Sequence, residues 1–138
     1  MALGPPSFPA VTANVPLGAA AGIEWTVVCG DADHWRAGIY SPAASSLAEL
    51  AELERHTCPE AFVLLSGRVV LVLADGCGDV HEVELMPGKP VLVTAPHAGF
   101  CPEGPHRGAA FVVERDSFST EYRVPAAWAG YDFDSPTG

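Results

Sequence analysis

The chain has 138 residues, of which 49% are hydrophobic, and it contains 14 glycines and 13 prolines. This size and composition fit a single turn-rich globular domain and exclude a disordered chain. The formal net charge of −10 disfavours nucleic acid and anionic membranes as partners, because both repel an acidic surface.

Targeting features and cysteine usage predict a cytoplasmic protein. No apolar run reaches the roughly 18 residues that a membrane-spanning helix needs. Residues 1–20 lack a basic segment and are interrupted by prolines, so they do not resemble a secretory signal. In a reducing compartment Cys29, Cys58, Cys77 and Cys101 are expected to remain free thiols.

The chain divides into an arm and one domain. Residues 1–20 are rich in Pro, Ala and Gly without periodicity and predict an irregular N-terminal arm. Residues 21–138 predict a single domain, since they show no internal repeat and no sign of a second domain. The tail from Ser117 carries several aromatic residues, Phe133 among them, which favours docking on a surface over free disorder.

Short strands separated by turn signals dominate the domain. Residues 45–55 carry leucines at helical spacing and predict a short helix or turn, then a strand from about Leu50. Residues 96–105 predict a long Pro/Gly-rich loop. The predicted strands are residues 23–29, 35–40, 62–65, 69–73, 80–85, 91–93 and 109–114. This pattern is typical of an all-β sandwich or barrel.

Residues 54–60 place three potential metal ligands in one hairpin. In an extended chain residues two apart share a face, so Glu54 and His56 point the same way. Pro59 indicates a turn, and Glu60 then begins the next strand. The apolar run after Glu60 builds the wall behind these side chains.

This hairpin resembles the first conserved motif of the cupin superfamily, in which two histidines, a glutamate and a glycine recur at fixed spacing. His56, Glu60 and Gly67 match the second histidine, the glutamate and the glycine, while Glu54 stands where the first histidine is expected. Residues 87–97, which end at His97, resemble the second motif. The resemblance covers about residues 35–115. Over this part the sequence is similar to small bacterial cupins of uncharacterised function.

The resemblance implies a cupin-type jelly-roll barrel (a double-stranded β-helix) with a pocket inside it. A divalent metal in that pocket would be held by Glu54, His56, Glu60 and His97. Two carboxylates and two imidazoles neutralise a divalent ion and favour Mn, Fe, Zn or Ni over soft copper. Glu54 would serve as the fourth ligand or as a general base, which makes Glu54 and His56 the candidate catalytic residues.

Other readings of these residues stay open. Glu54 could be a solvated charge within an acidic stretch, and His106 could enter the pocket in place of His97. Cys58 could be a fifth ligand or an oxidisable thiol, although a small buried apolar role is favoured.

Three functions are therefore expected in order. The first is a metal-dependent oxygenase or isomerase that acts on a small polar molecule. The second is a barrel that binds or senses a small ligand without a metal, as the missing first histidine suggests. The third is a protein that acts through assembly, and a homodimer is expected because cupin barrels commonly pair through an outer sheet. The sequence has no P-loop, no nucleophile elbow and no dinucleotide-binding motif.

Overall fold

The computed structural model describes residues 11–131; residues 1–10, and with them half of the predicted arm, lie outside this range, as does Phe133. The described residues form ten strands in two five-stranded antiparallel sheets. The strands are β1 (Trp25–Asp31), β2 (Trp35–Tyr40), β3 (Leu53–His56), β4 (Glu60–Gly67), β5 (Val70–Ala74), β6 (Val80–Glu84), β7 (Val91–Val93), β8 (His97–Phe100), β9 (Gly108–Arg115) and β10 (Thr120–Arg123).

The strand order identifies a jelly roll. One sheet has the order β1-β2-β9-β4-β7 and the other has the order β10-β3-β8-β5-β6. Most neighbours in each sheet are distant in sequence, because the chain alternates between the two layers. The predicted all-β jelly-roll class is confirmed. None of the helical segments among the described residues has both the length and the apolar composition that crossing a bilayer requires.

Two apolar clusters form the core. The first, which contains Phe62, Leu71 and Leu85, lies between the sheets, and the second, which contains Leu53 and Trp128, covers the outer face of the β10-β3-β8-β5-β6 sheet. Trp128 is fully buried and belongs to the 3-10 turn Pro125–Trp128, so this part of the aromatic tail docks on the barrel.

Two elements differ from the sequence-based prediction. The predicted loop over residues 96–105 contains β8, and the predicted tail contains β10. Each has only four residues, too few to give a strand pattern in the sequence, and each is defined by its pairing partners. The ambiguous residues 45–55 form a 3-10 turn at Leu47–Glu49 followed by β3.

The fold explains why position 67, at the end of the first motif, is a glycine. Gly67 ends β4 with a φ of 61°, in the left-handed region that favours glycine. A Cβ atom at this position would lie 2.1 Å from the carbonyl oxygen of Arg107. Gly67 therefore lets the end of β4 approach the chain that enters β9.

Candidate functional site

A cavity of about 440 Å³ opens between the two sheets. Strands β3, β4 and β8 contribute to it the four side chains predicted as ligands: Glu54, His56, Glu60 and His97. Glu54 pairs directly with His97 across β3 and β8, which places their side chains on one face. His56 follows two residues after Glu54 on the same face, and Glu60 enters from the opposite sheet after the turn.

The nitrogen and oxygen atoms of these side chains lie close together. His56 Nε2 is 2.9 Å from Glu60 Oε1 and 3.5 Å from Glu54 Oε1. His97 Nε2 is 3.2 Å from the same oxygen of Glu60 and 3.9 Å from Glu54 Oε1. Glu60 and His97 are buried, whereas the Glu54 side chain is 36% exposed. Glu54 therefore lies between the site and the open cavity.

Both imidazoles are oriented through their other ring nitrogen. His97 Nδ1 lies 3.0 Å from the carbonyl oxygen of Ala95, and a carbonyl only accepts, so Nδ1 carries the hydrogen. His56 Nδ1 lies 2.8 Å from Thr120 Oγ1. In a neutral imidazole protonated at Nδ1, Nε2 presents a lone pair. The lone pair of His97 thus faces a carboxylate oxygen, an arrangement that requires a proton or a metal ion between them.

The distances fit a metal coordination shell. Ligand atoms about 2.1 Å from a metal ion are separated from one another by roughly 3.0–3.5 Å in octahedral or tetrahedral geometry. Of the four nitrogen–oxygen distances, 3.2 and 3.5 Å fall in this range, while 2.9 Å lies just below it and 3.9 Å lies above it. The potential ligands form two overlapping triads that share His56: one adds Glu54 and His97, and the other adds Glu60 and Glu114.

Without a metal, protons would hold these groups together. Burial lowers the pKa of His56, but its hydrogen bonds with Glu54 and Glu60 outweigh that effect and raise the pKa to about 10. Burial likewise raises the pKa of Glu60, yet the hydrogen bonds from His56 and His97 lower it to about 2. Burial lowers the pKa of His97, but the hydrogen bond and the charge of Glu60 outweigh that effect and raise it. A metal ion must therefore displace protons from the site.

Glu114 is a site residue that sequence reasoning missed. It is only 6% exposed, and its Oε1 accepts a hydrogen bond from Arg36 Nε at 3.1 Å. Its Oε2 is buried and has no hydrogen-bond partner among the described residues. Burial, followed by the charge of Glu60, raises the pKa of Glu114, while Arg36 opposes the shift.

The signal for Glu114 was present in the alternation along β9. Ala110 and Val112 are fully buried and lie four and two residues before Glu114, so all three share the inward face. A carboxylate that continues such an apolar face is predicted to need a partner inside the barrel. That partner, Arg36, lies on the neighbouring strand at the paired position.

Aromatic rings cover the cavity wall beside Arg36. Its guanidinium lies 4.8 Å from the ring centre of Phe118 and 5.8 Å from that of Trp25. Phe118 in turn lies 4.5 Å from the ring of His56. These contacts join β1, β2 and the segment before β10. The residues are far apart in the sequence, so no short motif contains them.

The other candidates lie outside the cavity lining. His106 Nδ1 is 2.8 Å from the carbonyl oxygen of Ser41, so of the two loop histidines it is His97 that enters the cavity. Cys58 is buried away from the cavity, and burial raises the pKa of its thiol. Arg55, the residue between Glu54 and His56, lies on the opposite face of β3, where it donates to the hydroxyl of Tyr131 at 3.1 Å.

Comparisons with known proteins show the fold. The sequence matches no family model and no curated protein. Among solved structures, FeII HppE has 13% identity and a TM-score of 0.53, over 76% of this chain and 62% of that one. A cupin-2 domain containing protein from Shewanella frigidimarina has 12% identity and a TM-score of 0.48, over 66% and 78%. The polyketide cyclase RemF from Streptomyces resistomycificus has 20% identity and a TM-score of 0.48, over 80% of each chain.

Proposed function

We propose that this chain, whose fold is that of the cupins, holds one divalent metal ion between Glu54, His56, Glu60 and His97. With the ion bound, the protein would act on a small polar molecule by oxygenation or isomerisation. The observation that carries the proposal is the approach of both Nε2 atoms to Glu60 Oε1, at 2.9 and 3.2 Å, while His97 Nδ1 is committed to a carbonyl. Iron is the first metal to test, because FeII HppE shares the fold.

The four side chains would have different roles, which depend on how deeply each is buried. A bound divalent ion would supply Lewis acidity and a fixed point for a substrate oxygen. Glu60 and His97 are buried and suited to holding the ion in place. Glu54 borders the open cavity, so its carboxylate can also accept a proton from a bound molecule. Thr120 would keep the His56 ring in its orientation.

Metal content tests the proposal. The purified chain should bind one equivalent of Fe, Mn, Zn or Ni, and His56→Ala should reduce that affinity by about 100-fold or more, beyond the loss seen for groups that only orient a ligand. His81→Ala is the matched control, because His81 is an exposed histidine of β6. The proposal fails if the wild type binds none of these metals, or if His56→Ala binds them as tightly as the wild type does.

A metal-free binding protein is the second candidate function. Glu60 lies within hydrogen-bonding distance of both imidazoles, so protons alone could satisfy the site. Such a protein would bind its small ligand with the same affinity before and after chelation of all metals. A ligand whose affinity falls on chelation would favour the metal-dependent function instead.

We also propose a cytoplasmic homodimer that pairs through the outer face of the β1-β2-β9-β4-β7 sheet. Leu92 and Val113 are 69% and 39% exposed there, and both pair with Ala61. They form an apolar strip on a sheet face that a second copy could cover. The four free cysteines suit a reducing compartment.

A further inference from the structure

The buried carboxylate of Glu114 borders the cavity, and only one of its two oxygens is paired. Arg36 occupies its Oε1, whereas its Oε2 is buried without a hydrogen-bond partner among the described residues. The side chain is 3% exposed, so water in the open cavity does not solvate it as it would a surface carboxylate. Leaving such an acceptor unpaired costs free energy, which points to a donor that the protein itself does not supply.

The charge of the cavity indicates what kind of donor fits. Five carboxylates line it, and Arg36 is its one lysine or arginine side chain among the described residues. Five carboxylates against one guanidinium and one divalent ion leave a net charge of −2 when the histidines are neutral. An anionic ligand would therefore enter against the field of the cavity, and a cation would enter with it.

The aromatic wall favours the same class of ligand. Trp25, Tyr40, Phe62, Phe118 and Tyr122 line the cavity, and the faces of aromatic rings attract cations. The rings of Trp25 and Phe118 already hold the guanidinium of Arg36, which shows that this wall accepts a cation. Arg36 is tied to Glu114 and to these rings, so it serves to position Glu114 rather than to receive an anion.

We infer that the cavity selects a small organic cation with a protonated amine, whose ammonium group pairs with the Glu114 carboxylate. The inference rests on the proposed function, since it names the substrate class of the same site. The volume of about 440 Å³ limits that ligand to a small molecule.

Three probes of equal length test the inference: n-propylammonium, 1-propanol and propionate. Each is titrated into the ¹⁵N-labelled 138-residue chain loaded with Zn²⁺ at pH 7, and the indole N–H signal of Trp25 is followed. Trp128, fully buried in a core cluster away from the cavity, is the internal reference. Propylammonium should bind about tenfold more tightly than propanol, and propionate should bind most weakly.

Glu114→Gln should lower the preference for propylammonium over propanol several-fold, because it removes the charge that pairs with the ammonium group but keeps the shape. Glu82→Gln is the matched control: Glu82 is exposed on β6, and its replacement should leave the preference unchanged. Should Glu114→Gln fail to fold, replacing Glu24 and Glu52 with glutamine at the exposed cavity rim should lower the preference about threefold.

Two results would overturn the inference. The first is propionate as the tightest probe, which would mean that Arg36 or the metal receives an anion. The second is an undiminished cation preference in Glu114→Gln or, where that variant does not fold, in the Glu24/Glu52 double variant. Failure of Zn²⁺ to bind counts against the proposed function alone, because the metal-free cavity keeps the same five carboxylates and the same preference can be read there.

Discussion

At the scale of single residues, the site depends on which atom of each imidazole is already engaged. The carbonyl oxygen of Ala95 fixes the tautomer of His97, and Thr120 holds the ring of His56. These contacts turn both Nε2 atoms toward the carboxylates of Glu54 and Glu60. The site therefore offers its lone pairs to a cation, and protons and metal ions compete for them.

This competition predicts the pH dependence of the metal-free protein. Because the pKa of His56 is raised from 6.5 to about 10, its contribution to stability is full below pH 6.5 and is lost as the pH rises through about 10. Because the pKa of Glu60 is lowered from 4.5 to about 2, its contribution is present above pH 4.5 and is lost as the pH falls through about 2. The melting temperature in excess chelator should therefore peak between about pH 4.5 and 6.5.

His56→Gln provides the control for the alkaline limb. It removes the titrating imidazole, so its melting temperature should fall less between pH 6.5 and 10 than that of the wild type. Identical alkaline profiles for the two proteins would contradict the role given to His56. Saturating metal should also flatten the alkaline limb, because deprotonation favours the metal-bound form.

At the scale of elements, the sequence predicted those parts of the site that lie on two consecutive strands, although the predicted hairpin is wrong, because β3 and β4 belong to opposite sheets and do not pair. Glu54 and His56 lie on β3 and Glu60 begins β4 after a three-residue turn, so their spacing along the chain determines their approach in space. The contribution of Glu114 depends on the pairing of β9 with β2 and β4, which the local sequence does not encode. The strands β8 and β10 were missed for a related reason, since long-range pairing defines strands of only four residues.

Gly67 tests the link between the first motif and the barrel. Gly67→Ala should destabilise the protein by about 1–3 kcal/mol or more, because its Cβ meets the Arg107 carbonyl as well as an unfavourable φ. Gly76→Ala is the matched control, with a φ of 85° and no atom within 4 Å of the added Cβ. It should cost only about 1 kcal/mol. Equal denaturation midpoints for the two variants would show that the close approach at Gly67 does not matter.

At the scale of the whole molecule, the cavity and the proposed dimer surface lie on opposite faces of the same sheet. Phe62 and Val112 face inward, whereas their neighbours Ala61 and Val113 face outward. The inward face builds the site, so the outward strip is available for assembly. A dimer in which the second copy covers only this outer face would leave the open end of the cavity accessible.

The mass in solution checks that arrangement. Light scattering should give twice the mass of the 14.4 kDa chain, and Leu92→Glu should give a monomer, because it places a charge in the apolar strip. Leu47→Glu changes an exposed leucine outside the sheets and should leave the dimer intact. A wild-type monomer at high concentration would rule out the proposed dimer.

Anomalous diffraction from crystals grown with one equivalent of Zn²⁺ tests the central claim most directly. The account predicts one strong peak at the zinc edge, about 2.0–2.3 Å from the Nε2 atoms of His56 and His97 and from carboxylate oxygens of Glu54 and Glu60. A peak elsewhere, or no peak while both Nε2 atoms still point at Glu60, would contradict it and leave a barrel held by protons alone.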